Sequence, residues 1–415
     1  MLIKNSLLYV LVNALNSLIP FVLLPVLTRY LTSEQYGELA MFTTWTSLVT
    51  VFCGLNINAS ANRKYFELKE DQEELSKYVF NCLIVLLLGS SIVFSITYSL
   101  SGLISDLINV SEKFLLAGVI VASFNVLVHV RLGQWQVREK PVQFGVFLIL
   151  FSSTNLLLSI FFVVFLNMQA DGRVLGIFLS TSIFLFIALA FLWRDRLLSL
   201  DLCFFYIKDS IKFGAPLIPH TIGVFMLLSV DRAVISYKLG AESAGIYMVA
   251  VQFSLAVSII LDSINKAFCP WLFNILDDGG VSKKKSVVKA TYILYVMFLA
   301  GVVVGFLVSE LIVELIVGEG FLNAAKLVPF LILGQALRGM YLLVTNYIFY
   351  AKRTGTISLI TIISGSINAI LLFFLIDHYG IFGAPYSFII SMSIQWLATW
   401  YFAIKYVKMP WLRFG

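Results

Sequence analysis

The stretch QFGVFLILFSSTNLLLSIFFVVFL, residues 143–166, decides the class of fold, because it carries no charged side chain over its whole length. An α-helix needs about 20 mostly apolar residues to cross the hydrocarbon core of a bilayer. A run of this length and composition therefore predicts a membrane-spanning helix. It also argues against a membrane β-barrel, whose strands are segments of about 10 residues with alternating polarity.

The composition of the whole chain agrees with this stretch. Of the 415 residues, 60% are hydrophobic and 13% are charged, and the mean hydropathy is +0.94. A soluble domain has about 25% charged residues, so lipid is the predicted main solvent. We expect an all-α membrane protein with about 12 transmembrane helices. Their apolar windows lie near residues 7–31, 36–59, 78–101, 113–132, 143–166, 174–193, 213–239, 243–269, 287–309, 325–350, 355–376 and 381–406.

The positions of lysine and arginine predict the orientation, because short cytoplasmic loops carry an excess of both. If both termini are cytoplasmic, 22 of the 29 basic residues, from Lys4 to Arg413, fall on the inner side. Arg232 and Arg338 fall inside spans. The remaining five lie on the outer side: Arg29, Lys113, Arg173, Lys238 and Lys326. The net charge of +6 is thus explained by topology, and no nucleic-acid partner is expected.

Several other classes of protein are disfavoured. The four cysteines lie singly in apolar segments without metal spacing, and we interpret them as packing residues. The first apolar segment is too long for a signal-peptide core, so we interpret it as the first helix. The sequence contains no GxxxxGK[ST], HExxH or GxSxG motif, and its loops are too short for a catalytic domain. We therefore expect no enzymatic activity, no metal and no cofactor.

Two hairpin sequences indicate an internal repeat. LTSEQYG at residues 31–37 and LGAESAG at residues 239–245 share Leu, Glu and Gly in register at an offset of 208 residues. An even number of predicted spans separates them, so both copies enter the membrane in the same direction. We expect residues 1–208 and 209–415 to form two parallel six-helix bundles around a central cleft. The alternative is that this hairpin is simply a common way to join two helices.

The same hairpins carry a family resemblance. PVLTRYLTSEQYG at residues 25–37, FGAPLIP at 213–219, SVDRAVI at 229–235 and the stretch 239–247 resemble the O-antigen (Wzx-type) polysaccharide repeat-unit flippases. These belong to the multidrug/oligosaccharidyl-lipid/polysaccharide exporter superfamily, whose lipid II flippases usually carry fourteen helices. The count of about twelve favours the polysaccharide branch.

The resemblance implies alternating access and movement of undecaprenyl-pyrophosphate-linked repeat units from the cytoplasmic to the periplasmic leaflet of the bacterial inner membrane. It further implies a coupling ion, proton or sodium, and leaves open contact with polysaccharide polymerase machinery. The composition also allows two other functions. An ion-coupled multidrug antiporter would need a cleft with more unpaired carboxylates than basic groups, and a membrane-embedded polymerase or glycosyltransferase would need larger outer loops.

Charged residues inside spans are candidate site residues, because a charge at mid-bilayer costs about 2.5–3.5 kcal/mol on insertion scales. Arg338 is the most deeply placed, and its planar guanidinium suits a pyrophosphate; alternatively it pairs with a carboxylate on another helix. Asp231 and Arg232 either divide between the cleft and a neighbouring helix or form a structural salt bridge.

Asp262, Asn265 and Lys266 share one helix face. Either Asp262 pairs with Lys266, or Lys266 binds phosphate while Asp262 serves ion coupling. The first half of the chain and the start of helix 7 supply further candidates for substrate binding or gating, some of which are equally consistent with interfacial anchoring or packing: Asn13 and Asn16 below Pro20 and Pro25, Arg29, Arg63, Arg131 and His220.

Overall fold

The structure is a computed structural model that describes residues 2–278 and 280–411. Across these residues all regular secondary structure is helical and no β-strand occurs. Arg413 and the side chain of Lys4, both counted on the predicted cytoplasmic side, lie outside the described residues. The expected all-α class is confirmed.

Fifteen α-helices are found in the described part of the chain. A π-helical turn (Phe161–Phe165) extends the seventh, and short 3-10 segments precede the tenth, thirteenth and fifteenth. The helices are α1 (Leu2–Tyr30), α2 (Ser33–Gly54), α3 (Ile57–Leu68), α4 (Gln72–Ser99), α5 (Ser101–Ile108), α6 (Glu112–Val137), α7 (Pro141–Ile160), α8 (Gln169–Arg194), α9 (Phe204–Gly214), α10 (Ile218–Leu228), α11 (Val230–Asp278), α12 (Val281–Ile316), α13 (Val328–Tyr350), α14 (Thr354–Tyr379) and α15 (Gly383–Tyr406).

Nine helical stretches among the described residues are long and apolar enough to cross a membrane, or ten if the bent pair α2–α3 forms one span. Three of the nine contain more than one α-helical segment. Phe204–Leu228 contains α9 and α10, Thr354–Tyr406 contains α14 and α15, and Val230–Asp277 has non-helical backbone at Gly240, with φ 85° and ψ 169°. α1 adds a shorter apolar helix, Leu15–Tyr30, and the chain is a multi-pass membrane protein.

The chain divides into two compact units. The first comprises Met1–Ile222 with Gly240–Gly245, and the second comprises Gly223–Leu239 with Ile246–Gly415. In the first unit, α2, α4, α6, α7 and α8 enclose an apolar core that includes Tyr78, Trp135 and Phe147. Cys53 and Cys82 are free thiols buried in this core, as expected for packing residues.

The segment predicted as helix 7 is broken. α9 ends at Gly214, a 3-10 turn at Ala215–Leu217 contains Pro216, and α10 ends one residue before α11. Proline has no backbone N–H to donate, so an interruption at Pro216 is expected. α1 behaves differently, because it runs without interruption through Pro20 and Pro25. Pro20 and Pro25 therefore do not break this helix.

The first hairpin of the repeat begins with a capped helix. Thr32 precedes α2, and its hydroxyl accepts a hydrogen bond from the backbone N–H of Gln35 at 3.2 Å. The Gln35 side chain in turn accepts from the backbone N–H of Thr32, also at 3.2 Å. This capping box satisfies N–H groups that the first turn of a helix leaves without partners, and it sets where α2 starts.

The two repeated hairpin sequences pack closely inside the first unit. A Cβ atom placed on Gly37 would lie 1.8 Å from the carbonyl oxygen of Ala241, and one on Gly245 would lie 2.0 Å from that of Ser33. Ser33 and Ala241 are themselves related by the 208-residue offset, as are Gly37 and Gly245. The contact is therefore reciprocal between the two copies of the hairpin sequence.

The second unit is organised around α13. This helix is buried along most of its length and packs against α12, α14 and α15. Small residues let neighbouring helices approach it closely, as is typical in membranes. At Gly339, for example, an added Cβ would lie 3.0 Å from the side chain of Leu261.

Candidate functional site

A polar pocket lies within the second unit, between α10, α11, α13 and α15. Its volume is about 110 Å³. Its lining includes three residues that the sequence analysis predicted as site residues: Asp231, Arg232 and Arg338. It also includes Tyr247, which forms a hydrogen bond with Asp231. We call this cavity the arginine pocket. The remaining lining residues are Leu227, Leu228, Val251, Ser254, Leu255, Ser258, Leu331, Gln335 and Phe388.

Asp231 is held in place at the start of α11. The hydroxyl of Tyr247 donates a hydrogen bond to its Oδ2 at 2.6 Å, and the backbone N–H of Arg232 donates to its Oδ1 at 2.9 Å. Tyr247 is fully buried and Asp231 is 8% exposed. A buried carboxylate is costly unless it accepts hydrogen bonds, and both oxygens here do so.

Arg232, next to Asp231, has an unsatisfied hydrogen-bond donor. Its side chain lines the pocket, the residue is 9% exposed, and its buried Nε has no hydrogen-bond partner in the described part of the chain. No ion pair joins its guanidinium to Asp231 or to any other described carboxylate. Because a buried charge normally has a counter-charge, an arginine in this state is poised to bind an anion.

Arg338, on α13, is partly satisfied. Its Nη2 lies 3.2 Å from Oδ1 of Asp262, and its Nη1 donates to the hydroxyl of Ser258 at 3.1 Å. Ser258 and Asp262 are one turn apart on α11, so a single helix face supplies both partners. The side chains of Arg338 and Asp262 are 22% and 37% exposed, so the pair is not sealed from solvent.

The pocket also contains Gln335, one turn before Arg338 on α13. It is 5% exposed, and its buried Oε1 accepts no hydrogen bond from the described residues. A carbonyl oxygen without a partner can accept from a hydroxyl group of a ligand. The arginine pocket thus offers two guanidinium groups for an anion and an acceptor for a neutral polar group.

The expected pair of Asp262 with Lys266 is not formed. The ion-pair partner of Asp262 is Arg338, and Lys266 is exposed, outside the pocket lining. Asn265, between them, accepts a hydrogen bond from the side-chain amide of Asn346 at 2.8 Å. Of the two interpretations of Arg338, the structure shows the pairing with a carboxylate on another helix, and it also places the side chain in a pocket.

The basic candidates of the first unit are bound to their surroundings in different ways. Arg131 is fully buried, forms an ion pair with Asp195 and lies 4.0 Å from the centre of the Trp135 ring. Arg63 lies 3.0 Å from a carboxylate oxygen of Asp209 and stacks on an aromatic ring. These are contacts of packing residues, whereas Arg29 is exposed at the end of α1.

The uncharged polar candidates of the first unit differ in their hydrogen bonds. The Asn13 side chain is exposed and donates to the carbonyl of Tyr9 on its own helix at 2.8 Å. Asn16 accepts a hydrogen bond from Ser152 of α7, which joins the two helices. His220, in α10, has a buried Nδ1 without a hydrogen-bond partner among the described residues.

Sequence reasoning did not assign roles to Tyr247, Ser258 and Gln335, which have no charge to mark them. It also placed Arg173 in an outer loop, but this residue lies in α8 and donates to Asn155 at 2.7 Å and to Ser159 at 2.5 Å. Spacing was the one signal in the sequence that could have identified two of them. Ser258 precedes Asp262 by one helical turn and Gln335 precedes Arg338 by nearly one, so each shares a helix face with a predicted site residue.

Comparison with solved structures identifies the fold. The structure titled "Lipid II flippase MurJ, inward closed conformation" matches with a TM-score of 0.76 at 16% identity, covering 97% of this chain and 87% of that one. An inward-facing multidrug resistance MATE family transporter of the MOP superfamily matches with a TM-score of 0.73 at 14% identity, covering 96% and 94%. The chain therefore has the fold of the MOP superfamily.

Comparison of sequences identifies the family. An uncharacterized membrane protein of Haemophilus influenzae is 26% identical over 88% of this chain and 87% of its own length. A putative O-antigen transporter of Shigella flexneri is 23% identical over 57% of this chain and 58% of its own. The proteins named here that carry a functional name are transporters or flippases, in line with the expectation that this chain is not an enzyme. The polysaccharide biosynthesis protein family model matches residues 2–276, and the chain belongs to that family.

Proposed function

We propose that this protein is a flippase that moves undecaprenyl-pyrophosphate-linked oligosaccharide repeat units from the cytoplasmic to the periplasmic leaflet of the bacterial inner membrane. Membership of the polysaccharide biosynthesis family supports a role in that pathway. The O-antigen transporter among its relatives and the flippase and transporter folds support movement of a lipid-linked sugar.

The observation that carries the proposal is the pair of arginines lining one pocket within membrane-spanning helices. Arg232 forms no ion pair with a described residue, and the described ion-pair partner of Arg338, Asp262, is 37% exposed. A pyrophosphate presents several acceptor oxygens, and the planar guanidinium can donate two parallel hydrogen bonds to such a group. The pocket is small, so it suits the pyrophosphate, and the sugars and the polyprenyl chain would extend beyond it.

Asp262 gives the pocket a means of release. With no cargo bound, its carboxylate neutralises Arg338; an arriving pyrophosphate competes for the same guanidinium. A proton or sodium ion on Asp262 favours the cargo, because it removes the competing negative charge. Loss of that ion restores the Asp262–Arg338 pair and weakens the hold on the phosphate, so the charge on Asp262 sets the affinity of the pocket for the cargo.

The remaining features of the proposal concern topology and partners. Both termini face the cytoplasm, as the loop charges predict. The two repeats rock around a central cleft by alternating access, and the polyprenyl chain stays in lipid. The sugar-bearing product is delivered on the periplasmic side, where polysaccharide polymerase machinery is a natural recipient.

The test replaces each arginine by glutamine, which keeps size and polarity and removes the charge. In a host whose chromosomal copy is replaced, Arg232→Gln and Arg338→Gln should each lower surface polysaccharide about 10- to 100-fold, the equivalent of one charged hydrogen bond of about 1.5–3 kcal/mol. Lipid-linked repeat units should accumulate on the cytoplasmic side.

The matched control is Lys238→Gln. Lys238 lies on the same helical segment as Arg232 but outside the pocket, where its Nζ is 2.6 Å from a carboxylate oxygen of Asp377. Surface polysaccharide should be unchanged in this variant. If both arginine variants are present in the membrane at normal amounts and the cells still carry the wild-type amount of surface polysaccharide, the proposed role of the pocket is contradicted.

The second candidate function is an ion-coupled multidrug antiporter. The likeness to a multidrug transporter fold favours it, as do the carboxylate of Asp231 in the pocket lining and that of Asp262, which pairs with the lining residue Arg338. However, both carboxylates already accept hydrogen bonds or pair with a cation, so the group left without a partner is basic. A deletion strain with raised sensitivity to cationic drugs and intact surface polysaccharide would favour the antiporter.

A further inference from the structure

A second cavity lies in the second unit, where α12 begins and α15 ends. Its volume is about 760 Å³, within the range of small-molecule sites. Its lining combines apolar and aromatic side chains with two lysines, Lys284 and Lys408. We call it the lysine groove. The other lining residues are Tyr292, Leu397, Trp400, Tyr401, Ile404, Met409, Pro410 and Trp411.

One wall of the groove is a rigid aromatic cluster. Trp396 and Trp400 stack with ring centres 5.5 Å apart, and Trp411 lies edge-on to Trp400 at 5.6 Å. The hydroxyl of Tyr292 donates to the backbone carbonyl of Trp411 at 3.0 Å. This hydrogen bond joins the residues that follow α15 to α12. Aromatic pairs of this kind add stability beyond the area they bury, so the wall is preformed.

The other side of the groove is an exposed apolar face of α15. Leu397, Tyr401 and Ile404 lie on one face of α15, at spacings of four and three residues, and are 53%, 64% and 48% exposed. A stripe of this composition on a spanning helix is what an acyl chain contacts in a bilayer, and tyrosine is enriched at the level of the headgroups.

The two lysines give the groove its charge. In the described part of the chain neither forms an ion pair, although other lysines nearby have partners. Lys408 is exposed and Lys284 is half-buried, so both ammonium groups remain accessible to a ligand. They lie on the side that the loop charges predict to be cytoplasmic, where anionic lipids attract basic residues and basic pockets between helices bind phosphate headgroups.

We infer that the lysine groove binds one anionic phospholipid of the surrounding membrane, with the phosphodiester between Lys284 and Lys408 and an acyl chain along Leu397, Tyr401 and Ile404. A zwitterionic lipid carries its own cation beside the phosphate and so brings no net charge to balance the two lysines, and a soluble phosphate would leave the apolar wall uncovered. The site is separate from the arginine pocket, with which it shares no lining residue, and it does not depend on the proposed flippase function.

The test is native mass spectrometry of the purified full-length protein titrated with phosphatidylglycerol or phosphatidylcholine of identical acyl chains. Wild type should retain one phosphatidylglycerol in clear preference to phosphatidylcholine. Each lysine near an anionic headgroup contributes about fivefold, so Lys284→Gln with Lys408→Gln should weaken that binding roughly 30-fold. The single variant Lys408→Gln, at an exposed position, should weaken it about fivefold even if the double variant is unstable.

The matched control is the double variant Lys289→Gln with Lys405→Gln. It removes the same number of charges from the same two helix ends, at exposed positions outside the groove lining. An equal loss of binding in the control would overturn the inference in favour of general surface attraction. Displacement of the bound lipid by undecaprenyl pyrophosphate, lost in the groove variant, would overturn it by assigning the groove to the cargo.

Discussion

The reciprocal contact between the two hairpins makes a sharp prediction for Gly245→Ala. A methyl group at this position would lie 2.0 Å from the carbonyl oxygen of Ser33 and 2.8 Å from the backbone nitrogen of Gly37. Close carbon–oxygen contacts in proteins are about 3.3–3.6 Å. The two hairpins would therefore have to separate by more than about 1 Å, and since the obstacle is backbone, no side-chain rotation can relieve it.

The magnitude follows from two opposing effects. Adding a methyl group where there is no room costs typically about 1–3 kcal/mol, and replacing glycine by alanine inside a helix returns about 1 kcal/mol. Gly301→Ala isolates the second effect, because Gly301 is exposed on α12 and a Cβ there meets nothing within 4 Å. Gly245→Ala should be destabilised and Gly301→Ala should be unchanged or slightly stabilised.

The assay is thermal unfolding of purified variants, followed with a dye that reacts with newly exposed thiols. Cys53 and Cys82 are buried free cysteines, so they report loss of the first unit, which also contains Gly245. The apparent midpoint of Gly245→Ala should lie several degrees below that of Gly301→Ala at equal heating rate. Equal midpoints would refute the close backbone contact.

Three further predictions concern polar pairs. Tyr247→Phe removes the hydroxyl that donates to Asp231 and should lower stability by about 1–3 kcal/mol, measured by the same thermal assay; an unchanged midpoint would show that water replaces the hydroxyl. Asp262→Asn should increase retention of undecaprenyl pyrophosphate by the purified protein yet lower polysaccharide export, because the competing charge is lost; weaker retention would contradict this. Asp195→Asn leaves the fully buried Arg131 without its counter-charge and should lower the yield of folded protein on size exclusion more than Asp377→Asn, because Asp377 is 60% exposed in its pair with Lys238.

Most of the fold could be predicted from the sequence because the bilayer imposes simple rules. Each crossing needs an apolar helix of known length, so α14 and α15 were placed to within a few residues from hydropathy alone. The predicted boundaries of long helices are less accurate. α12 begins at Val281, ahead of the window near 287–309, because its first turn carries lysines that hydropathy assigns to a loop.

The candidate site was predictable only in part. Asp231, Arg232, Asp262 and Arg338 stand out in sequence, since charges inside apolar windows are costly. Their pairing does not, because spacing along one helix suggested that Asp262 pairs with Lys266, whereas the carboxylate pairs with Arg338 on another helix.

The sequence by itself determined that this is an all-helical membrane protein with a repeated hairpin, since hydropathy, loop charge and the 208-residue offset are properties of the chain alone. Only the tertiary structure decided which charges are satisfied. Tyr247 donates to Asp231, Asp195 pairs with Arg131, and the buried Nε of Arg232 at the pocket has no hydrogen-bond partner among the described residues. The physical reason is that burial and hydrogen bonding depend on side chains brought together from distant parts of the chain, and a one-dimensional pattern records no such contacts.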